Sequence, residues 1–348
     1  MLLLVFLSGG LFLGWSLGAN DAANVFGAAV GSRMIRFATA ALICSVCVVL
    51  GAVIGGAGTT ETLGDLGAVN ALGGAFMVAL AAAATVFGMT RMSLPVSTSQ
   101  AIVGAIIGWN FFSGSPTDVS ALVKIVTTWV ACPLLAALFA MLLHTILAAV
   151  FRRHPLHLLW EDVCLRWALI LAGAFGAYSL GANNIANVMG VFVPVSPFSD
   201  LDVGGLFVID GTRQLFLIGG LAIAVGVFTY SRRVMETVGG NLMRLDAPMA
   251  LVVVLSQALV LFLFSSQDLN AWLVSHRLPP IPLVPVSSSQ AVVGAVLGLG
   301  LLKGGRGIKF RVLGEIAAGW VTTPVVACGI TFVALFFLQN VFAIEVMR

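Results

Sequence analysis

The chain has 348 residues, 60% of them hydrophobic and 9% charged, with 17 Lys and Arg against 14 Asp and Glu for a net charge of +3. A soluble domain of this length carries about 87 charged side chains. The small number here and a mean hydropathy of +1.09 exclude soluble enzymes, nucleic-acid-binding domains and disordered scaffolds, so the chain is read as an integral membrane protein in a lipid bilayer.

Apolar runs fall near 1–30, 37–57, 71–90, 95–112 and 119–150, then 167–193, 213–230, 248–266, 284–302 and 312–342. Runs of about 20 residues suit spanning helices and exclude a membrane barrel, whose strands alternate over about ten residues. The predicted fold is therefore all-α and polytopic, with about ten transmembrane segments. The first run lacks a basic leader and is read as a span rather than a cleaved signal. Pro95 and Pro285 open the 95–112 and 284–302 runs, which are expected to be broken or re-entrant.

Three motifs recur in the same order. Ser16-Leu-Gly-Ala-Asn-Asp-Ala-Ala-Asn-Val-Phe-Gly matches Ser179-Leu-Gly-Ala-Asn-Asn-Ile-Ala-Asn-Val-Met-Gly at an offset of 163. Pro95-Val-Ser-Thr-Ser-Gln matches Pro285-Val-Ser-Ser-Ser-Gln at 190, and Trp129-Val-x-x-Pro133 matches Trp320-Val-x-x-Pro324 at 191. The growing offset places an insertion, read as an aqueous loop, near 195–212. The chain divides into a first repeat (1–152), a cytoplasmic linker (153–166) and a second repeat (167–348).

Basic residues set the orientation. With the N-terminus outside and one crossing per run, thirteen of them face the cytoplasm: Arg33, Arg36, Arg91, Arg152, Arg153, Arg166, Arg232, Arg233, Arg244, Lys303, Arg306, Lys309 and Arg311. Only Arg213, Arg277 and Arg348 lie outside, which puts both termini outside a bacterial-type cytoplasmic membrane. Five crossings per half is odd, so the halves enter the membrane in opposite senses. Inverted-topology repeats mark secondary transporters, whose substrate and coupling ions bind near the midplane at the repeat interface.

Asn20, Asp21 and Asn24 lie deep in the first run beside Gly14, Gly18 and Gly27; Asn183, Asn184 and Asn187 are their counterparts. Their i, i+1, i+4 spacing groups them on one helix face. A carboxylate and amides in hydrocarbon are costly unless they line a cavity or bind something, although Asn also bridges helices without transport. Ser97, Thr98, Ser99 and Gln100, and likewise Ser287, Ser288, Ser289 and Gln290, stand at the expected N-termini of two short helices. Unpaired amides and the positive dipole end there favour an anion, and plain capping needs only one hydroxyl. Facing termini would make a donor-rich cage for a tetrahedral anion.

Lys124 and Glu315 occupy equivalent positions, either paired across the repeat axis or snorkelling independently. Cys44 and Cys47 form a C-x-x-C without a second ligand pair, so the five cysteines are read as packing residues. The histidines lie away from the motifs, and no catalytic constellation stands out; the chain is not expected to be an enzyme.

At these residues the sequence resembles the inorganic phosphate transporter (PiT) family. Gly18-Ala19-Asn20-Asp21-Ala22-Ala23-Asn24 and Gly181-Ala182-Asn183-Asn184-Ile185-Ala186-Asn187 match its duplicated motif, and Pro95–Ser99 and Pro285–Ser289 its duplicated serine segments. The resemblance implies a cation-coupled symporter of inverted-repeat fold carrying phosphate or, in some members, sulfate. By it, Asn20, Asp21, Asn24, Asn183, Asn184 and Asn187 are coupling-ion and site-shaping positions, and the two Ser/Thr/Gln clusters are anion donors. It implies a homodimer, and sodium or protons as coupling ion with no organic cofactor. Two departures stand out: Asn184 replaces the usual Asp, and Gln100 and Gln290 replace a common His. Loss of one carboxylate bears on the coupling ion and on the anion, since monohydrogen phosphate has a proton to donate to a carboxylate and sulfate has none. Phosphate is the first expectation; a sulfate permease, and then an anion channel, are the alternatives.

Overall fold

The computed structural model describes residues 2–67, 69–91, 96–153, 157–203, 207–238, 245–305 and 308–348. Thirteen helices appear among them: α1 (Leu2–Gly31), α2 (Phe37–Gly55), α3 (Ala57–Leu66), α4 (Leu72–Arg91), α5 (Thr98–Ser113), α6 (Val119–Arg153), α7 (Leu158–Met189), α8 (Gly211–Thr229), α9 (Ser231–Val238), α10 (Ala247–Leu263), α11 (Gln267–Ser275), α12 (Ser288–Leu302) and α13 (Phe310–Asn340). Pro95 and His154 lie outside the described residues, as do Arg244 and Arg306.

Seven described helices are long and apolar enough to cross a membrane, and α10 with α11, bent by 66°, makes an eighth if the pair is one span. This polytopic helical bundle has fewer full-length spans than the ten runs suggested. The difference lies chiefly in α5 and α12, which have 16 and 15 residues. At 1.5 Å per residue they reach about 24 and 22 Å, short of a hydrocarbon core about 30 Å thick.

The surface of α6 reverses the pattern of a soluble helix. Val119, Val123, Val126, Val130, Leu134, Leu138 and Leu142 are exposed at helical spacing, while the buried side carries Ala121, Ile125, Thr128, Cys132, Ala136 and Ala140. Large apolar side chains suit lipid, and small ones let helices approach closely.

Helices α1 and α7 each run through the centre. α1 packs on α4 and α8, and α7 on α10 and α2; α5 lies against α13, and α12 against α6. The repeated Trp-Val-x-x-Pro motif takes its meaning here. Pro133 and Pro324 sit inside α6 and α13, where proline frees the carbonyl four residues back and bends the helix. A Cβ on Gly104 of α5 would collide with the Pro324 carbonyl, and one on Gly294 of α12 with that of Pro133. Glycine is required at these two crossings because the backbones touch.

The additional length of the second half is split rather than confined to 195–212. Helix starts differ by 174 between α2 and α8 and by 175 between α4 and α10, then by 190 between α5 and α12. The first increment is the loop holding a two-stranded antiparallel hairpin, β1 (Leu201–Val203) with β2 (Phe207–Ile209), in register Leu201↔Ile209. The second is α11 and the extended segment before α12. Glu315 pairs with Arg311 on its own helix at 3.2 Å rather than with Lys124, and both Lys124 and Glu315 are exposed. Arg91 stacks over the Phe87 ring at 5.0 Å.

Candidate functional site

The two short helices begin in the protein interior. Ser97 caps α5 and Ser287 caps α12, each accepting from the amide three residues on, Gln100 N and Gln290 N, at 3.3 Å. Each terminus grips the segment leading into the other: Ser99 Oγ donates to the Val286 carbonyl at 3.1 Å and Ser289 Oγ to the Val96 carbonyl at 3.3 Å. Two helix N-termini are thereby held together, and the first-turn amides of each have no partner within their helix.

The asparagine motifs close on these termini crosswise. Asn24 of α1 donates to Ser288 Oγ at 3.0 Å, and Asn187 of α7 donates to Ser99 Oγ at 2.9 Å. Asn187 Nδ2 also reaches Asn184 Oδ1 at 2.9 Å, and Ser99 Oγ lies 3.5 Å from the same oxygen. On the α1 side Asn20 Nδ2 donates to Asp21 Oδ1 at 2.8 Å, and the Asp21 carboxylate faces the Ser288 side chain. Asp21, Ser97, Thr98, Ser99, Gln100, Asn183, Asn184, Asn187, Ser287, Ser288 and Gln290 are buried; Asn20, Asn24 and Ser289 are half-buried.

Several buried polar atoms at this centre have no protein partner: Thr98 Oγ1, Gln100 Oε1, Gln290 Oε1 and Asn187 Oδ1. A buried group without a hydrogen bond costs about 1–3 kcal/mol, so four beside two helix N-termini suit a place that binds polar ligands. Hydroxyls and first-turn amides there can donate to an oxyanion, while the Asp21 carboxylate and amide carbonyls are the oxygens a hard cation takes.

Asn183 stands apart from the other expected site residues. Its Oδ1 accepts from Val286 N at 2.8 Å, and its Nδ2 donates to the carbonyls of Val284 at 3.3 Å and Leu261 at 3.4 Å. Its amide is spent on anchoring the extended segment ahead of α12, whereas its counterpart Asn20 turns to Asp21. Ser97 and Ser287 are helix caps, and Ser287 Oγ also lies 2.9 Å from Ser289 Oγ. Two contributors went unnoticed in the sequence. Thr59 of α3 donates to the Asn183 carbonyl at 3.2 Å, and Thr62 donates to the Leu283 carbonyl at 2.7 Å; the Thr-Thr-Glu-Thr stretch between two apolar runs was the available signal. Gln257, a lone amide inside the apolar α10, is a further buried polar residue outside the motifs.

The sulfate permease CysP of Bacillus subtilis strain 168 is 30% identical to this chain over 347 residues, covering 97% of this chain and 89% of its own. A protein of Methanocaldococcus jannaschii assigned as a phosphate permease is 26% identical over 323 residues, covering 92% and 93%. The solved structure of a sodium-dependent phosphate transporter shares the fold, with a TM-score of 0.77 at 23% identity over 97% of this chain and 98% of the other. The model of the phosphate transporter family matches residues 17–331 and again 281–345, and so takes in both asparagine motifs and both serine clusters. With nearly its whole length under that match, the chain belongs to the phosphate transporter family and is a transporter rather than an enzyme.

Proposed function

We propose that this protein is a cation-coupled symporter that carries inorganic phosphate across the cytoplasmic membrane. The observation that carries the reading is the crossed pairing of Asn24 with Ser288 and Asn187 with Ser99, which joins the two asparagine motifs, one of them bearing Asp21, to two buried helix N-termini. The oxyanion sits over the first turns of α5 and α12, among Thr98, Ser99, Gln100, Ser288, Ser289 and Gln290. The cation sits beside Asp21 with the amide carbonyls of Asn20, Asn24 and Asn184. The structural neighbour named as sodium-dependent favours sodium over protons.

The reciprocal packing of α5 on α13 and α12 on α6, with glycine against proline in each, supports two repeats related by a pseudo-two-fold axis. Rocking one against the other opens the centre alternately to each side. The bias of basic residues toward one set of connections in the ten-run reading supports a cytoplasmic position for that side, with both termini opposite.

Sulfate is the second reading. The sulfate permease relative favours it, as does Asn184, which leaves Asp21 as the single carboxylate of the duplicated motif. Asp21 can accept a hydrogen bond from the hydroxyl of monohydrogen phosphate, which keeps phosphate first. The test is uptake of labelled phosphate and sulfate into proteoliposomes with sodium and proton gradients imposed separately. Phosphate accumulation against its gradient, driven by sodium, is expected. Accumulation of sulfate alone would replace the substrate; flux without accumulation would make the protein a channel; no flux of either anion would leave a structural membrane subunit.

A further inference from the structure

Gln257 lies in the middle of α10 among Val252, Val253, Val254, Ala258, Val260 and Leu261 and is 1% exposed. Both of its amide atoms, Nε2 and Oε1, are buried without a hydrogen-bond partner. Its neighbour Ser256 escapes that cost by bonding the Val252 carbonyl of its own helix at 2.6 Å. The turn that carries Gln257 meets two other helices. A Cβ on Gly176 of α7 would touch Val25 of α1 at 3.2 Å and Ala258 and Val254 of α10 at 3.7 and 3.8 Å. Val25 follows Asn24 directly, and one turn along α10 the Leu261 carbonyl receives Asn183. The turn of α10 that carries Gln257 thus packs against α7 beside Val25 of α1, one turn from the Leu261 carbonyl that receives Asn183. With α4 and α10 starting at 72 and 247, the corresponding residue of the first half is Ala82, fully buried and apolar. Like the Asp21 carboxylate, the amide therefore has no twin.

We infer that Gln257 is a further ligand of the coupling cation: its side-chain carbonyl joins the Asp21 carboxylate in an oxygen shell built on the α1 side of the centre. The inference rests on the symport reading above. A hard monovalent cation takes neutral amide oxygens together with a carboxylate, and an amide buried in apolar surroundings persists where it has something to bind. The two single-copy oxygen groups, Asp21 and Gln257, accordingly belong to one cation site.

The experiment compares wild type, Gln257→Leu and Gln257→Glu in proteoliposomes, with the cation and anion concentrations varied separately, and measures the sodium-induced rise in melting temperature of the purified proteins. The Leu variant is expected to melt no lower than wild type without sodium, to lose the sodium-induced rise, and to need about tenfold more cation for half-maximal uptake at an unchanged anion KM. The Glu variant keeps the oxygen ligand and is expected to retain the sodium-induced rise. If the Leu variant does not fold, Gln257→Met of similar length takes its place with the same expectations. A Leu or Met variant with wild-type cation dependence overturns the inference, and so does a shift confined to the anion KM. Failure of the wild type to accumulate anion overturns the symport reading instead, and the sodium-induced melting shift still judges Gln257.

Discussion

Asn187 donates to Ser99 at 2.9 Å across 88 residues of sequence, so the asparagine motif of the second half is tied to the short helix of the first. Asn24 and Ser288 make the reciprocal tie at 3.0 Å across 264 residues. Neither half owns a complete polar centre. A motion of one half against the other must strain these bonds, which links access to the site with occupation of it.

Ser99 is the most connected hydroxyl at the centre, receiving Asn187 and donating to the Val286 carbonyl. Ser99→Ala removes both bonds and leaves Asn187 buried with fewer partners, at an expected cost of about 1–3 kcal/mol in stability. A double-mutant cycle of Ser99→Ala with Asn187→Ala should return a coupling energy of about 0.5–3 kcal/mol. Thermal melting in detergent measures both, and additive single effects would show that the pair is not coupled in solution.

Gly104 and Gly294 are fixed by the proline carbonyls they face, not by flexibility. Gly104→Ala and Gly294→Ala should each cost about 1–3 kcal/mol through forced separation of the helices. Gly88→Ala is the control: it lies on the exposed side of α4, where an added Cβ would meet nothing within 4 Å. A melting comparison of the three variants decides the matter, and equal stabilities would mean that the crossings can relax.

The sequence made the membrane class, the apolar runs and the residues of the polar centre legible, because hydropathy and motif duplication are local signals. Ser97 and Ser287 could be placed at helix starts, since a hydroxyl ahead of an apolar run is a cap signature. What the repeated Trp-Val-x-x-Pro is for could not be read, because its meaning lies in Gly104 and Gly294 about 220 and 161 residues away, where two backbones touch. Asn183 looked like Asn20 for the same reason: only the folded chain brings Val284 and Val286 to it. The shortness of α5 and α12 is signalled by proline at their entrances, which marks both runs as broken or re-entrant.

The asymmetry between Asp21 and Asn184 gives the sharpest test of coupling. Asn184 Oδ1 already accepts from Asn187 at 2.9 Å and lies 3.5 Å from Ser99 Oγ, so one carboxylate oxygen there would meet two donors, at the loss of the bond that Asn184 Nδ2 gives the Leu180 carbonyl at 3.3 Å. Asn184→Asp is therefore expected to fold, whereas Asp21→Asn removes the carboxylate of the duplicated motif while keeping its shape. Asp21→Asn should retain anion binding and lose accumulation against a gradient. The double variant, which moves the carboxylate to the other half, should recover part of that accumulation with a different cation dependence. Asn184→Asp alone places two carboxylates around the centre and should steepen the dependence on cation concentration. Uptake in proteoliposomes across a cation series reads all four proteins. Full cation-driven accumulation by Asp21→Asn would remove Asp21 from the coupling site.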